Sequence, residues 1–514
     1  MSQKSRVRKS LLNARVNLIF YFLTLMLSFF SRKIFLNALG ADFVGLTGTL
    51  QNLLGFLNLA ELGIGAAVSF NLYKPIQEGN REKIVDLISV FGSLYRYIGL
   101  AIMGIAIILS CFLPLIFKNT IFDYGVIYFA FFSFLFSSLI GYFINYRQIL
   151  LSADQKNYVV AGYFQTGNIL KCIIQMYIAY YYANYYIWIA IELAFGILYS
   201  IILNKKIDKE YPWLKASIKT GNIKRKEYPE IIRYTRQIFV HKLKDFLLTQ
   251  SDQILVFAFV SLKMVAYYGN YVLITSRLAQ LLTTTLDSIG AGVGNLVAEG
   301  NRAKILNVFW ELMFIRYLIA GIIVFSIYHL ITPFISLWLG NEYILDQIIL
   351  VLLLLNLFIM ITRGTVDMFN GAYGNYGDIW AAWTEGGINL GITMIAASFW
   401  GISGILLGKI LSLLPIIVFW KPYYLFKSGF REAYGLYWTG TIRYYIVFGC
   451  SFVILHFASM VIPINPYKDF YNLILYSCFL VFPFSIVYGI GLVLFTQGAK
   501  SAMLRVPYIK NIIK

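Results

Sequence analysis

Long apolar stretches follow one another along this chain, from near residue 16 to near residue 497. A bilayer's hydrocarbon layer, about 30 Å thick, takes about 20 apolar residues of helix to cross. Lipid offers backbone groups no partners, so such stretches satisfy their own N–H and C=O groups as helices. About fourteen spans are read, among them 16–36, 44–72, 159–182, 265–297, 379–399, 401–420 and 470–497. The division between the eleventh and twelfth falls at Trp400-Gly401. Only 13% of the residues are charged, against about 25% in soluble domains. An all-α polytopic membrane protein is expected.

One seven-residue phrase occurs twice, each time after an apolar helix. It reads Glu78-Gly79-Asn80-Arg81-Glu82-Lys83-Ile84 and then Glu299-Gly300-Asn301-Arg302-Ala303-Lys304-Ile305. Small residues precede both copies, Gly63-Ile64-Gly65-Ala66-Ala67 and Gly290-Ala291-Gly292-Val293-Gly294. Two copies of one membrane unit, about 220 residues apart, predict a transporter built from two like halves. The organisation read from this is an N-terminal six-helix lobe over 1–203, a basic cytoplasmic linker over 204–236 and a C-terminal six-helix lobe over 237–420. Residues 421–514 add two helices and a basic cytoplasmic tail. An even number of spans in each half gives both the same orientation, with a pseudo-twofold axis along the membrane normal.

The net charge of +19 would suit a nucleic-acid binder, but its placement excludes that reading. Cytoplasmic segments hold about thirty of the 43 Lys and Arg, and the outer loops about three (Lys118, Lys263 and Lys468). This asymmetry puts both termini in the cytoplasm, and the basic loops meet anionic lipid head groups. Arg32 and Lys33 stand where a signal-peptidase site needs small residues, so no cleaved signal peptide is expected. Cys111, Cys172, Cys450 and Cys478 fall in apolar spans, and with three scattered histidines they give neither a disulfide framework nor metal-ligand spacing. No metal and no cofactor is expected.

Ten basic residues lie within or at the ends of spans, and each would cost about 2.5–3.5 kcal/mol at a lipid-facing helix centre. Arg96, Lys242 and Arg316, near cytoplasmic helix ends, are expected to snorkel. Lys171, Arg277 and Lys409 lie near mid-depth and call for a water-filled cavity. Helical spacing puts Asn270, Arg277, Gln280, Thr284 and Ser288 on one face, and Asn356, Arg363, Asp367 and Asn370 on another. Arg363 and Asp367, four apart, are also spaced for a structural ion pair. The second span offers Gln51, Asn58 and Glu61. These stripes point to a hydrated central cavity, with interhelical hydrogen bonding as the alternative for Asn and Gln. Excess positive charge in it suits an anionic substrate, because Arg and Lys are the natural partners of phosphate.

Several motifs together resemble the oligosaccharide-lipid and polysaccharide repeat-unit flippases of O-antigen and capsule type, in the superfamily that also holds the MATE multidrug exporters. They are Leu39-Gly40-Ala41-Asp42-Phe43-Val44-Gly45, Glu61-Leu62-Gly63-Ile64-Gly65-Ala66, and Leu151-Ser152-Ala153-Asp154-Gln155-Lys156-Asn157-Tyr158. Further along come Ser251-Asp252-Gln253-Ile254-Leu255, Tyr268-Gly269-Asn270-Tyr271, Asn370-Gly371-Ala372-Tyr373-Gly374 and Gly404-Ile405-Leu406-Leu407-Gly408-Lys409. Where relatives often carry Thr at the end of the last motif, this chain has Lys409. The resemblance implies two six-helix lobes plus two helices, alternating between inward-open and outward-open states. It implies an undecaprenyl-pyrophosphate-linked oligosaccharide moved from the cytoplasmic to the periplasmic leaflet of a bacterial inner membrane, and leaves room for a polysaccharide polymerase partner. Cavity arginines on the first and eighth helices of related flippases correspond here to Arg32, with Lys33 beside it, and Arg277.

The expected substrate-binding residues are therefore Arg32, Lys33, Lys171, Arg277, Arg363 and Lys409, with Asn58, Asn270, Gln280 and Asn356 as polar lining. Glu61, Asp252 and Asp367 are candidates for H⁺ or Na⁺ coupling, since a buried carboxylate can change charge state during a cycle. Gly404–Ile410 is one residue short of a nucleotide loop and ends in Ile, so the chain supplies no ATP site. Two other functions compete: a multidrug exporter on the same fold, and an integral-membrane glycan polymerase or glycosyltransferase. The exporter would need an anionic cavity, and the enzyme large outer loops or paired outer carboxylates.

Overall fold

The computed structural model describes residues 3–57, 64–154, 156–229, 252–287, 289–375 and 377–504. Its described residues are helices and short connections, and the chain divides into two compact units, Met1–Ala266 and Tyr267–Lys514. Among the described residues, nine helical segments are long and apolar enough to cross a membrane. The protein is a multi-pass all-α membrane protein.

The first unit contains α1 (Gln3–Leu39), α2 (Ala41–Leu57), α3 (Ile64–Glu78), α4 (Arg81–Ser110), α5 (Tyr124–Phe143), α6 (Asn157–Tyr182), α7 (Tyr185–Glu210) and the short α8 (Ile218–Lys224). Helix α1 packs on α6, α5 on α7, and α6 on α7. Its core is apolar and aromatic: Phe43 stacks on Tyr185 at 4.6 Å and meets the edge of Trp188 at 5.4 Å. Polar clips gather around the start of α6 and the end of α7. Lys156 reaches both Asp154 and Glu210 at 2.8 Å, and Arg147 reaches Asp208 at 2.6 Å. Burial alone would lower the Lys156 pKa, but the two carboxylates outweigh it and hold the ammonium above its ordinary range. The basic segment after α7 folds back onto α4, where Ser217 N donates to Ser89 Oγ at 3.0 Å and Lys224 pairs with Asp86.

Residues 252–259 form α9, and α10 (Leu262–Asp287) carries the boundary between the units after its first turn. The second unit continues with α11 (Gly290–Glu299), α12 (Arg302–Trp338), α13 (Gln347–Thr362), α14 (Gly364–Ala372), α15 (Ile379–Leu413), α16 (Tyr434–Ser459), α17 (Phe470–Phe495) and α18 (Ala499–Leu504). The added pair α16 and α17 stands against α12. Phe325 stacks on Phe484 at 3.8 Å, and Tyr488 donates to the Tyr317 carbonyl at 2.8 Å.

Helix α15 is two antiparallel arms rather than one rod. Gly401 takes φ 52°, ψ −126°, outside helical geometry, a conformation that glycine adopts without a Cβ penalty. Asn389 bonds Ser412 at 3.3 Å and Trp420 bonds Asp378 at 3.1 Å, so the stretches before and after the turn face each other. The break lies where the sequence divides the eleventh span from the twelfth.

Both copies of the repeated phrase fold identically. Gly79 (φ 70°) and Gly300 (φ 74°) end α3 and α11 in the left-handed region. Asn80 then caps α4 through Lys83 N at 3.0 Å, and Asn301 caps α12 through Lys304 N at 3.1 Å. Glycine ends one helix and asparagine starts the next, the residue preferences expected at these two positions.

Candidate functional site

In each unit a charged pocket contains residues that the sequence singles out, Lys171 in the first and Arg363 with Asp367 in the second. The second unit's pocket has a volume of about 450 Å³, within the range of small-molecule sites. Helix α13 ends at Thr362, and Arg363 leads directly into α14. That junction places Arg363 at the pocket wall with Asp367 one turn on, and Arg363 Nε meets Asp367 Oδ2 at 3.2 Å. From α12 comes Arg316, only 3% exposed, with Nη1 at 3.4 Å from the Ile361 carbonyl. Thr283 and Gly290, the first residue of α11, complete the polar side. Among the described residues this lining carries two guanidinium groups and one carboxylate.

Arg316 corrects the sequence reading. Nine-tenths and more of it is buried among α12, α13 and α14, so it does not snorkel toward water. Its distance from the helix end suggested an escape, but its face of α12 is turned into protein.

The first unit's pocket, about 420 Å³, is lined from α2, α5, α6 and α7. Lys171 Nζ meets Glu192 Oε1 at 2.6 Å, and each side chain is 18% exposed. Gln175 joins them, donating to Glu192 Oε2 at 3.3 Å and to the Trp188 carbonyl at 3.1 Å. Lys171 was singled out as a phosphate partner, yet its charge here is balanced by Glu192, a carboxylate the sequence reading did not single out. The available signal was a lone acid at mid-span on the neighbouring helix of the same hairpin.

Among the described residues, the other predicted ones line neither of these pockets. Arg32 is half-buried, its Nη2 donating to the Ala266 carbonyl at 2.8 Å, while Lys33 is exposed. In α10, Asn270 is fully buried, Arg277 is half-buried and Gln280 is exposed, with Arg277 Nη1 at 3.5 Å from Gln280 Oε1. Asn356 donates to Leu352 O at 3.1 Å and to Leu406 O at 3.4 Å, which ties α13 to the second arm of α15. Lys409 and Asp252 are half-buried. Asn58 and Glu61, with Lys242 and Ser288, lie outside the described residues.

By sequence, no family model and no curated protein matches the chain. By structure, it matches the lipid II flippase MurJ in an inward closed conformation with a TM-score of 0.66, over 92% of this chain and 99% of that one, at 17% identity. An inward-facing multidrug-resistance MATE transporter of the MOP superfamily matches with a TM-score of 0.56, over 81% of this chain and 99% of that one, at 13% identity. The Vibrio cholerae MATE transporter VcmN, in a mutant form, matches with a TM-score of 0.51, over 84% and 99%, at 14% identity. The chain has the flippase and exporter fold that MurJ and the MATE transporters share.

Proposed function

We propose that this protein is a flippase that carries an undecaprenyl-pyrophosphate-linked oligosaccharide from the cytoplasmic to the periplasmic leaflet of a bacterial inner membrane, by alternating access through a cationic central cavity. The observation that carries the reading is the pocket of Arg316 and Arg363, where two guanidinium groups meet one carboxylate inside a membrane unit. A cation at a lipid-facing helix centre costs about 2.5–3.5 kcal/mol, so two guanidinium groups held in one pocket of a membrane unit suit an anionic substrate. Guanidinium forks fit phosphate oxygens in pairs. The similarity to MurJ supports a lipid-borne substrate. An exporter of cationic drugs would need an anionic cavity, which makes it the weaker reading.

The cycle follows from the charges. Diphosphate competes with Asp367 for Arg363, and the freed carboxylate becomes able to take up H⁺ or Na⁺. Asp252 and Glu61 are further candidates for that coupling. Arg32, Lys33, Arg277 and Lys409 supply the rest of the cationic path, and the prenyl tail stays in lipid. A polysaccharide polymerase is the expected partner at the outer face.

The test is complementation of a flippase-deficient bacterium that makes a defined lipid-linked glycan. Surface glycan should appear with the wild type, fall at least tenfold with Arg363→Gln at equal membrane abundance, a loss of about 1.4 kcal/mol or more in the limiting step, and partly persist with Arg363→Lys. Full activity of Arg363→Gln would remove this pocket from the mechanism. Lipid-linked glycan trapped inside with every substrate tried would reject the flippase.

A further inference from the structure

The pocket in the first unit has a chemistry of its own. We infer that it is a sugar subsite, which binds a neutral hexose or N-acetylhexosamine of the lipid-linked glycan through Lys171, Glu192 and Asn168, with Phe164 and Tyr199 as apolar walls. The inference rests on the function proposed above and assigns it a second recognition element.

Geometry comes first. Phe164, Asn168 and Lys171 recur at helical spacing on one face of α6, and Glu192, Gly196 and Tyr199 do the same on α7. The two faces meet across the pocket, with the Lys171–Glu192 pair at one end and Phe164 packed edge-on against Tyr199 at 5.4 Å at the other. Seven residues of helix separate those ends by about 10 Å, roughly the length of two linked sugar rings. Gln51 and Ser138 add hydrogen-bonding groups from α2 and α5.

Charge then narrows the ligand. One ammonium and one carboxylate at 2.6 Å leave the lining neutral, so a phosphate or a uronate would bring a charge with no counter-ion. A metal or alkali cation would have to displace Lys171, since Glu192 already accepts from Lys171 and Gln175. A vicinal diol fits without any such exchange. One hydroxyl donates to the carboxylate while its neighbour accepts from the ammonium, and each bond is charge-assisted. The aromatic walls take the C–H face of the ring.

The experiment measures binding to the full-length protein in nanodiscs. Three short-chain prenyl diphosphates serve as probes: one with a neutral N-acetylhexosamine-containing disaccharide, one with a uronic acid in its place, and one with no sugar. The wild type should bind the neutral glycolipid about tenfold more tightly than the sugar-free probe, a difference of about 1.4 kcal/mol, and should bind the uronate no better than the latter. Asn168→Leu, which fills the pocket with a residue of similar size, should abolish that advantage and leave the sugar-free affinity unchanged. The paired Lys171→Met, Glu192→Met variant should do the same. An advantage that survives in both folded variants overturns the subsite. Equal wild-type binding of all three probes also overturns it, while the flippase reading stands. Binding of none would reject the flippase reading and the subsite with it.

Discussion

Arg316 lies with its guanidinium against the backbone of Gly364, the residue that follows Arg363. A Cβ at Gly364 would occupy the place of Arg316 Nη1. The obstacle is the far end of a flexible side chain, so the helices need not move, but Arg316 would have to leave its seat. Gly364→Ala should therefore cost about 1 kcal/mol of stability, near the centre of the range for single substitutions. It should still reduce glycan export about as much as Arg363→Gln. A large drop in the midpoint of unfolding, with export per folded molecule unchanged, would show that the site braces helices and does not order the pocket.

The repeated turns predict a matched pair of stability losses. Asn80 and Asn301 accept from backbone N–H groups at 3.0 and 3.1 Å, and replacing such a cap by Ala costs about 0.5–2 kcal/mol. The two sites lie in different units and share no partner, so the double substitution should be additive to within about 0.5 kcal/mol. Thermal unfolding of Asn80→Ala, Asn301→Ala and the double variant checks this. Strong non-additivity would mean that the two turns are coupled.

Such turns were legible because their chemistry is local: a glycine at positive φ followed by a capping asparagine reads from sequence alone. The break at Gly401 was legible for a related reason, an apolar run too long for one crossing with a glycine in its middle. Partner choice was harder. Position along the span marked Lys171 as a mid-depth charge, and spacing gave the Arg363–Asp367 pair because both lie on one stretch of chain. It could not supply Glu192, which comes from the next helix. Nor could it tell which face of α12 carries Arg316, because burial there depends on the α13–α14 junction packed against it. Asn356 shows the same limit: a polar residue at cavity spacing spends its donors on Leu352 and Leu406.

Asp469 gives a prediction in pH. It caps α17 from the loop before it, accepting from Asn472 N at 2.7 Å and from the Asn472 side chain. These hydrogen bonds, the backbone one first, hold its pKa below the ordinary 3.8. A depressed carboxylate contributes stability that is fully present above its unfolded pKa and is lost as pH falls through the folded value. Asp469→Ala should lower the unfolding midpoint at neutral pH, and the gap from wild type should narrow as pH falls below the ordinary carboxylate pKa of 3.8. A gap that stays constant down to the acid limit would assign the effect to packing and not to the ionised cap.

Lys171 and Glu192 allow bracing and recognition to be separated. Removing one partner of a buried ion pair costs about 3–5 kcal/mol, whereas replacing both with apolar residues is often near neutral. At 18% exposure on each side the single losses should fall toward the lower end of that range. Lys171→Met and Glu192→Met should each destabilise the protein, and the double variant should recover most of the loss, giving a large coupling energy in a double-mutant cycle. Additive single losses would mean that the pair contributes little to holding α6 on α7. A stable double variant decides the purpose of the charges. If bracing were their whole role, it would transport neutral glycans as the wild type does. If they receive a sugar, stability returns and the preference for the sugar-bearing lipid does not.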